Sequence, residues 1–121
     1  MVLNFFGKKT NPRVDAENAL QSAFNEAQKG NAGAMESFLS VAQTHADKAK
    51  LDITQRVSAI EDVGYRGALE SALKSAAEYA ELGQKDLMER FIRLAVGYAS
   101  RLEMNVDNRL TSIRKQLKGK V

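Results

Sequence analysis

The chain has 121 residues, with 18 Lys and Arg against 15 Asp and Glu, one His, one Pro and no Cys. Its length suits one compact domain, and its 44% hydrophobic and 27% charged fractions are typical of a globular chain. The lack of Cys excludes disulfides, zinc–thiolate sites, iron–sulfur clusters and thiol nucleophiles. No apolar run approaches the ~18 residues that span a bilayer. We therefore expect no transmembrane segment and a cytoplasmic location.

Residues 1–10 form an apolar and basic arm, in which Phe5 and Phe6 precede Lys8 and Lys9. This order is the reverse of a secretory signal, which has its basic region first and a longer apolar core. We expect the aromatic pair to cover one end of the domain. Two alternatives stay open, namely anchoring on a partner and shallow insertion into a membrane surface.

Asn11-Pro12 marks the start of the first helix, because Asn is a good N-cap and Pro is tolerated at the first helical position. Apolar residues then recur at helical spacing as far as Gly30, a residue type that favours a left-handed helix end. The pattern predicts a helix over about 12–29.

The apolar stripe continues at helical spacing through the rest of the chain, and Gly64 and Gly83 divide it into further segments. No stretch alternates polar and apolar residues with the β-branched composition of a strand. The chain is therefore predicted to be all-α.

An internal repeat is the most informative feature of the sequence. A shift of 53 residues aligns residues 13–60 with 66–113 without a gap, and 15 of the 48 pairs are identical. The alternative is chance similarity between Ala-rich amphipathic helices. Duplication is favoured because distinctive residues agree in register, including Gly30 with Gly83, Met35-Glu36 with Met88-Glu89, and Phe38 with Phe91.

The repeat predicts a single helical domain over residues 1–121, with units at about 12–63 and 65–118. Each unit would hold a short helix, a glycine turn and a longer helix. The resulting fold class is all-α, with two tandem helical hairpins that form a four-helix bundle or a short helical-repeat array.

Two breaks are expected from the alignment of the units. Gly64 aligns with Asn11, which precedes the first helix, and this favours a break between the units near residues 63–66. Asp52 and Asn105 are equivalent, and both residue types prefer caps to helix interiors. We therefore expect a kink or short break near Asn105.

The segment from Tyr79 to Gly83, with Phe91 and Ala95, resembles the turn region of tetratricopeptide repeats. The 53-residue period departs from the 34 of that family, whose opening pattern is absent here. The resemblance implies stacked helical hairpins and assigns no binding residue.

No catalytic, metal or cofactor site is predicted. His45 lies on the apolar stripe and aligns with Tyr98 of the other unit. We interpret it as a partly buried residue at a helix interface. Glu36 and Glu89 recur without any Glu-x-x-His motif, so we expect them to support the first turn of a long helix or to pair with a neighbouring Lys or Arg. The sequence also lacks a phosphate-binding glycine loop and a nucleophile elbow.

The net charge of +3 conceals an uneven distribution. Residues 1–13 carry +3, residues 14–108 carry −5 and residues 109–121 carry +5. The C-terminal cations have a structural explanation as well as a possible binding role, because the helix dipole favours positive charge at a helix C-terminus. The candidate interaction residues are Arg109, Arg114, Lys115, Lys118 and Lys120 at one end and Phe5, Phe6, Lys8 and Lys9 at the other.

The leading functional hypothesis is a non-enzymatic protein–protein interaction module that can self-associate, for example as a homodimer. Helix faces or the groove between hairpins would hold the partner, whose identity the sequence does not specify, and Arg90, Arg93 and Arg101 could line that face. The alternative is a nucleic-acid-associated protein that uses its basic C-terminal helix. It is not favoured, because neither interleaved aromatics nor a recognition helix accompanies the charge.

Overall fold

A computed structural model of the chain describes residues 11–119, which are all-helical and contain no strand, as predicted. None of the helices in this range is long and apolar enough to cross a membrane. The five helices are α1 (Pro12–Gln28), α2 (Ala32–Ala49), α3 (Thr54–Glu81), α4 (Lys85–Arg101) and α5 (Asp107–Lys118).

The predicted bounds of α1 are confirmed, and both ends have local causes. The Asn11 side chain accepts a hydrogen bond from the Arg13 N–H at 3.1 Å, and Pro12 occupies the first helical position. At the other end Gly30 adopts a φ of +73°, and its N–H donates to the Ala27 carbonyl at 2.9 Å. This left-handed turn allows α2 to return antiparallel beside α1.

The predicted break near Asn105 is also confirmed, and Asp52 marks the same break 53 residues earlier. Each break follows a non-glycine residue with positive φ, Lys50 at 57° and Glu103 at 55°. The side-chain oxygens of Asp52 and Asn105 each accept the N–H two residues further on, at 3.0 and 2.8 Å. Caps therefore divide both stretches that were expected to be long helices.

The break expected near residues 63–66 is wrong, because α3 runs unbroken through this region. The glycines there serve close packing. A Cβ on Gly64 would overlap the Met35 sulfur, and a Cβ on Gly67 would lie 3.0 Å from the Cα of Gly30. Continuity of α3, together with the two capped breaks, gives five described helices where four were expected.

The helix α3 carries residues of both hydrophobic cores. The first core is built from α1, α2 and α3 as far as Ala68, and the second begins at Leu69 and continues into α4 and α5. Tyr98 and Leu102 pack against both cores. The largest fully buried side chains in the described range are Leu20, Met35, Leu69 and Met88.

Replacing Gly64 with Ala tests the close packing of Met35 from α2 against Gly64 of α3. Ala is the better helix former, but its Cβ would overlap Met35, and overpacking a core costs about 1–3 kcal/mol. We expect Gly64→Ala to lower the free energy of unfolding in urea denaturation. The matched control is Gly97→Ala, where no atom lies within 4 Å of the added Cβ, and stability should rise by up to about 1 kcal/mol. Equal stabilisation by both substitutions would contradict the packing argument.

Candidate interaction groove between helices α2 and α4

A groove of about 290 Å³ lies between the N-terminal turns of α2 and the C-terminal half of α4. It joins parts of the chain that are far apart in sequence, and we refer to it as the α2/α4 groove. Its lining includes Gly33 and Glu36 from α2 and Arg93, Leu94, Gly97 and Arg101 from α4.

A hydrogen-bonded network spans the groove. Arg101 donates through Nη1 to Glu36 Oε2 and to the Tyr65 hydroxyl oxygen, both at 2.6 Å. The Tyr65 hydroxyl donates to the same carboxylate oxygen at 2.5 Å, and its ring stacks on Tyr98 with centroids 6.1 Å apart. These contacts connect α2, α3 and α4 across the groove, with Arg101 and Glu36 each about half exposed.

The environment of Tyr65 keeps its hydroxyl protonated. Burial and the hydrogen bond to the Glu36 carboxylate raise the pKa of Tyr65 to about 12. The guanidinium of Arg101 also lies 5.0 Å from the centroid of the tyrosine ring, within cation–π distance. Tyr65 is therefore a stable hydrogen-bond donor at neutral pH.

Two glycines widen the groove without any structural need for glycine. Gly33 and Gly97 both lie within helices, where Gly costs about 0.8–1.0 kcal/mol relative to Ala. Neither has a positive φ, and apart from the local helix backbone no atom lies within 4 Å of a Cβ built on either residue. Their effect is to leave open space in the groove.

Arg93 and Leu94 give the groove an exposed positive charge and an exposed apolar side chain. Arg93 is exposed and forms no salt bridge with a carboxylate in residues 11–119, whereas Arg101 is paired with Glu36. Leu94 is 45% exposed, which is high for a large apolar residue. The structure thus brings two of the three predicted arginines to one groove, and Arg90 is exposed elsewhere on α4.

The basic C-terminal residues are less available than the sequence suggested. Arg109 forms two hydrogen bonds to Glu70, both at 2.7 Å, and Arg114 forms two to Glu89 at 3.1 and 2.9 Å. Glu89 and Glu36 therefore do pair with arginines, but with distant ones, 25 and 65 residues away, and not with a neighbouring Lys or Arg as expected. Lys115 and Lys118 are exposed, and the candidates outside the described residues are Lys120, Phe5, Phe6, Lys8 and Lys9.

Sequence reasoning missed a pair of recurring salt bridges. Arg56 binds Glu17 through two hydrogen bonds at 2.6 and 2.7 Å, as Arg109 binds Glu70. Each arginine lowers the pKa of its glutamate, chiefly by donating these hydrogen bonds. The sequence did contain a signal for these salt bridges, because the Glu and Arg of each pair are 39 residues apart in both units.

His45 lies at the interface between α1 and α2, partly buried as predicted. Its Nδ1 is 3.9 Å from an Asp15 carboxylate oxygen, so its acidic neighbour comes from α1 and not from nearby Asp47. Between residues 11 and 119, no group of three or more His, Asp or Glu side chains is placed to hold a metal ion.

Comparison with known protein families, curated protein sequences and solved structures finds no match for this chain. The function must therefore be argued from the groove itself. Its distinguishing properties are a hydrogen-bonded frame, open space at two glycines, an exposed leucine and an arginine without a salt-bridge partner in the described range.

The raised pKa of Tyr65 predicts a loss of stability at high pH. The folded state holds the phenolic proton more tightly than the unfolded state, whose pKa is near 10. This contribution is complete below about pH 10 and is lost as the pH rises toward 12. Tyrosinate absorbance should show a late ionisation that Tyr65→Phe removes and Tyr79→Phe retains. A late step that survives in Tyr65→Phe would contradict this assignment.

A double-mutant cycle on Glu70 and Arg109 should detect only modest coupling. Both side chains are about half exposed, so solvent screening limits the pair to about 0.5–1 kcal/mol despite its two hydrogen bonds. Because the pKa of Glu70 is lowered, the coupling should disappear as the pH falls through and below the ordinary value of 4.5. Urea denaturation of both single variants and the double variant measures it. A coupling that persists in full at low pH would show that it is not ionic.

Proposed function

We propose that the chain is a non-enzymatic helical module that binds another protein in the α2/α4 groove. The observation that carries this proposal is the combination of a hydrogen-bonded frame with open space at Gly33 and Gly97. A preorganised groove loses little conformational freedom on binding. Exposed Leu94 offers apolar contact area, and Arg93 offers a charge that orients the partner.

We also propose that the chain consists of two duplicated helical hairpins arranged as a short repeat array. Matched features support the duplication, namely the left-handed residues Lys50 and Glu103 and the buried residues Met35 and Met88. An array is favoured over a closed bundle because α3 passes from one hydrophobic core to the next. Repeat arrays commonly bind partners on surfaces formed between neighbouring units.

The nucleic-acid alternative has less support than the sequence gave it. Two of the five C-terminal cations are neutralised by Glu70 and Glu89. Deletion of residues 109–121 would be a poor test, because it also removes side chains of the second core, Leu110, Ile113 and Leu117. The better variant is Lys115→Glu with Lys118→Glu, since both lysines are exposed. A salt-sensitive mobility shift that this variant abolishes would favour nucleic acid.

Site-specific photo-crosslinking tests the groove as a protein-binding site. A photoreactive residue at position 33 should form an adduct with a partner in native extract, identified by mass spectrometry and reproduced with the purified partner. Adding Gly97→Leu to the same chain should reduce the adduct at least about tenfold, because the leucine fills the groove.

The matched control places the same photoreactive residue at exposed Thr111 on α5. Circular dichroism checks that Gly97→Leu remains helical. Equal adducts from positions 33 and 111, or an adduct at position 33 that Gly97→Leu leaves unchanged, would overturn the proposed function.

A further inference from the structure

We propose that the α2/α4 groove is occupied by the α3–α4 turn of a second copy of this chain, where the α3–α4 turn denotes residues 78–84, the end of α3 and the residues that follow it. This inference rests on the proposed function of the groove and names its partner. An acidic, apolar turn would sit in a basic groove and bring an exposed leucine into contact with Leu94 and the open space at Gly97.

The α3–α4 turn carries the most exposed large apolar side chain in the described range. Leu82 is 66% exposed, more than any other large hydrophobic residue between positions 11 and 119. Its N–H donates to the Glu78 carbonyl at 3.1 Å, so the two residues are one helical turn apart. Because residues four apart share a helix face, the exposed Glu78 carboxylate accompanies Leu82.

The groove offers the complementary chemistry. Arg93 is an exposed cation without a salt bridge in the described range, and it borders the space left open by Gly97. Seating Leu82 in that space would bury the exposed leucine and bring Glu78 toward Arg93. One contact would thus account for both the exposed Leu82 and the exposed Arg93, which are solvent-accessible in the monomer.

These features coincide with the places where the two units differ. The residues equivalent to Glu78 and Leu82 in the first turn are Asn25 and Lys29. The residue equivalent to Arg93 is Ser40, and the one equivalent to Gly97 is Thr44. Glu78 and Leu82 of the turn and Arg93 and Gly97 of the groove therefore all lie in the second unit, at positions where the first unit has different residues.

The expected association is weak, because one turn in one groove buries less surface than the roughly 1,200–2,000 Å² of a stable interface. Two copies can exchange turns reciprocally in a dimer, or successive copies can join head to tail. Both arrangements use the same contact, and the molecular mass distinguishes them.

Sedimentation equilibrium of the full chain tests the proposal. The mass should rise with concentration up to about 1 mM, and Arg93→Glu or Glu78→Arg alone should weaken association at least about tenfold. An equimolar mixture of the two variants should restore it, because each turn then meets a groove of opposite charge. Ser40→Glu, at the position equivalent to Arg93, is the matched control and should leave association unchanged.

Two further variants test the shape of the contact. Gly97→Leu fills the groove and should abolish association while the helical circular dichroism is retained. Leu82→Lys introduces the residue type found in the first turn and should have the same effect. Loss of association in a chain that remains helical separates a lost contact from a lost fold.

A folded wild-type chain that stays monomeric at about 1 mM would overturn self-association. Failure of the mixed charge-reversal variants to restore association would overturn the pairing of turn and groove. If either happens while crosslinks from position 33 still depend on Gly97, only this inference fails. If the crosslinks also lose that dependence, the proposed function fails with it.

Discussion

The close approach of the α1–α2 turn to α3 is the constraint on which the rest of the structure depends. The Cα of Gly30 would lie only 3.0 Å from a Cβ on Gly67, and Met35 fills the space beside Gly64. The absence of side chains at these points lets one helix serve two cores, with its earlier residues packed in the first and its later residues in the second. The helix α3 runs unbroken through this contact and links the two cores.

The same contact positions the groove. Tyr65 directly follows Gly64, so the close packing of α3 against α2 places the tyrosine hydroxyl beside Glu36 and within reach of Arg101. A buried hydroxyl needs hydrogen-bond partners, and this one has two. Within residues 11–119 no buried side-chain polar atom lacks a partner. The frame of the groove is therefore a consequence of core packing and not an independent feature of the surface.

Features with local causes could be predicted from the sequence, and features with distant causes could not. The start of α1 and the break near Asn105 depend on caps that a few residues define. A glycine such as Gly64 is ambiguous, because it can end a helix or admit a close neighbour, and the neighbour lies 29 residues away in the chain. Arg93 and Arg101 were named as candidates, but the partners of Arg101 lie 36 and 65 residues away, beyond any helical periodicity.

The net charge of a segment is a poor guide to where a partner binds, because carboxylates on neighbouring helices decide which cations remain available. The C-terminal residues carry +5, yet Arg109 and Arg114 are held by glutamates from α3 and α4. The middle of the chain carries −5, yet Arg93 keeps its charge without a salt bridge in the described range. An available cation beside open apolar space is a more specific feature than a basic tail. For this reason the proposed partner is placed on α4 and not at the ends of the chain.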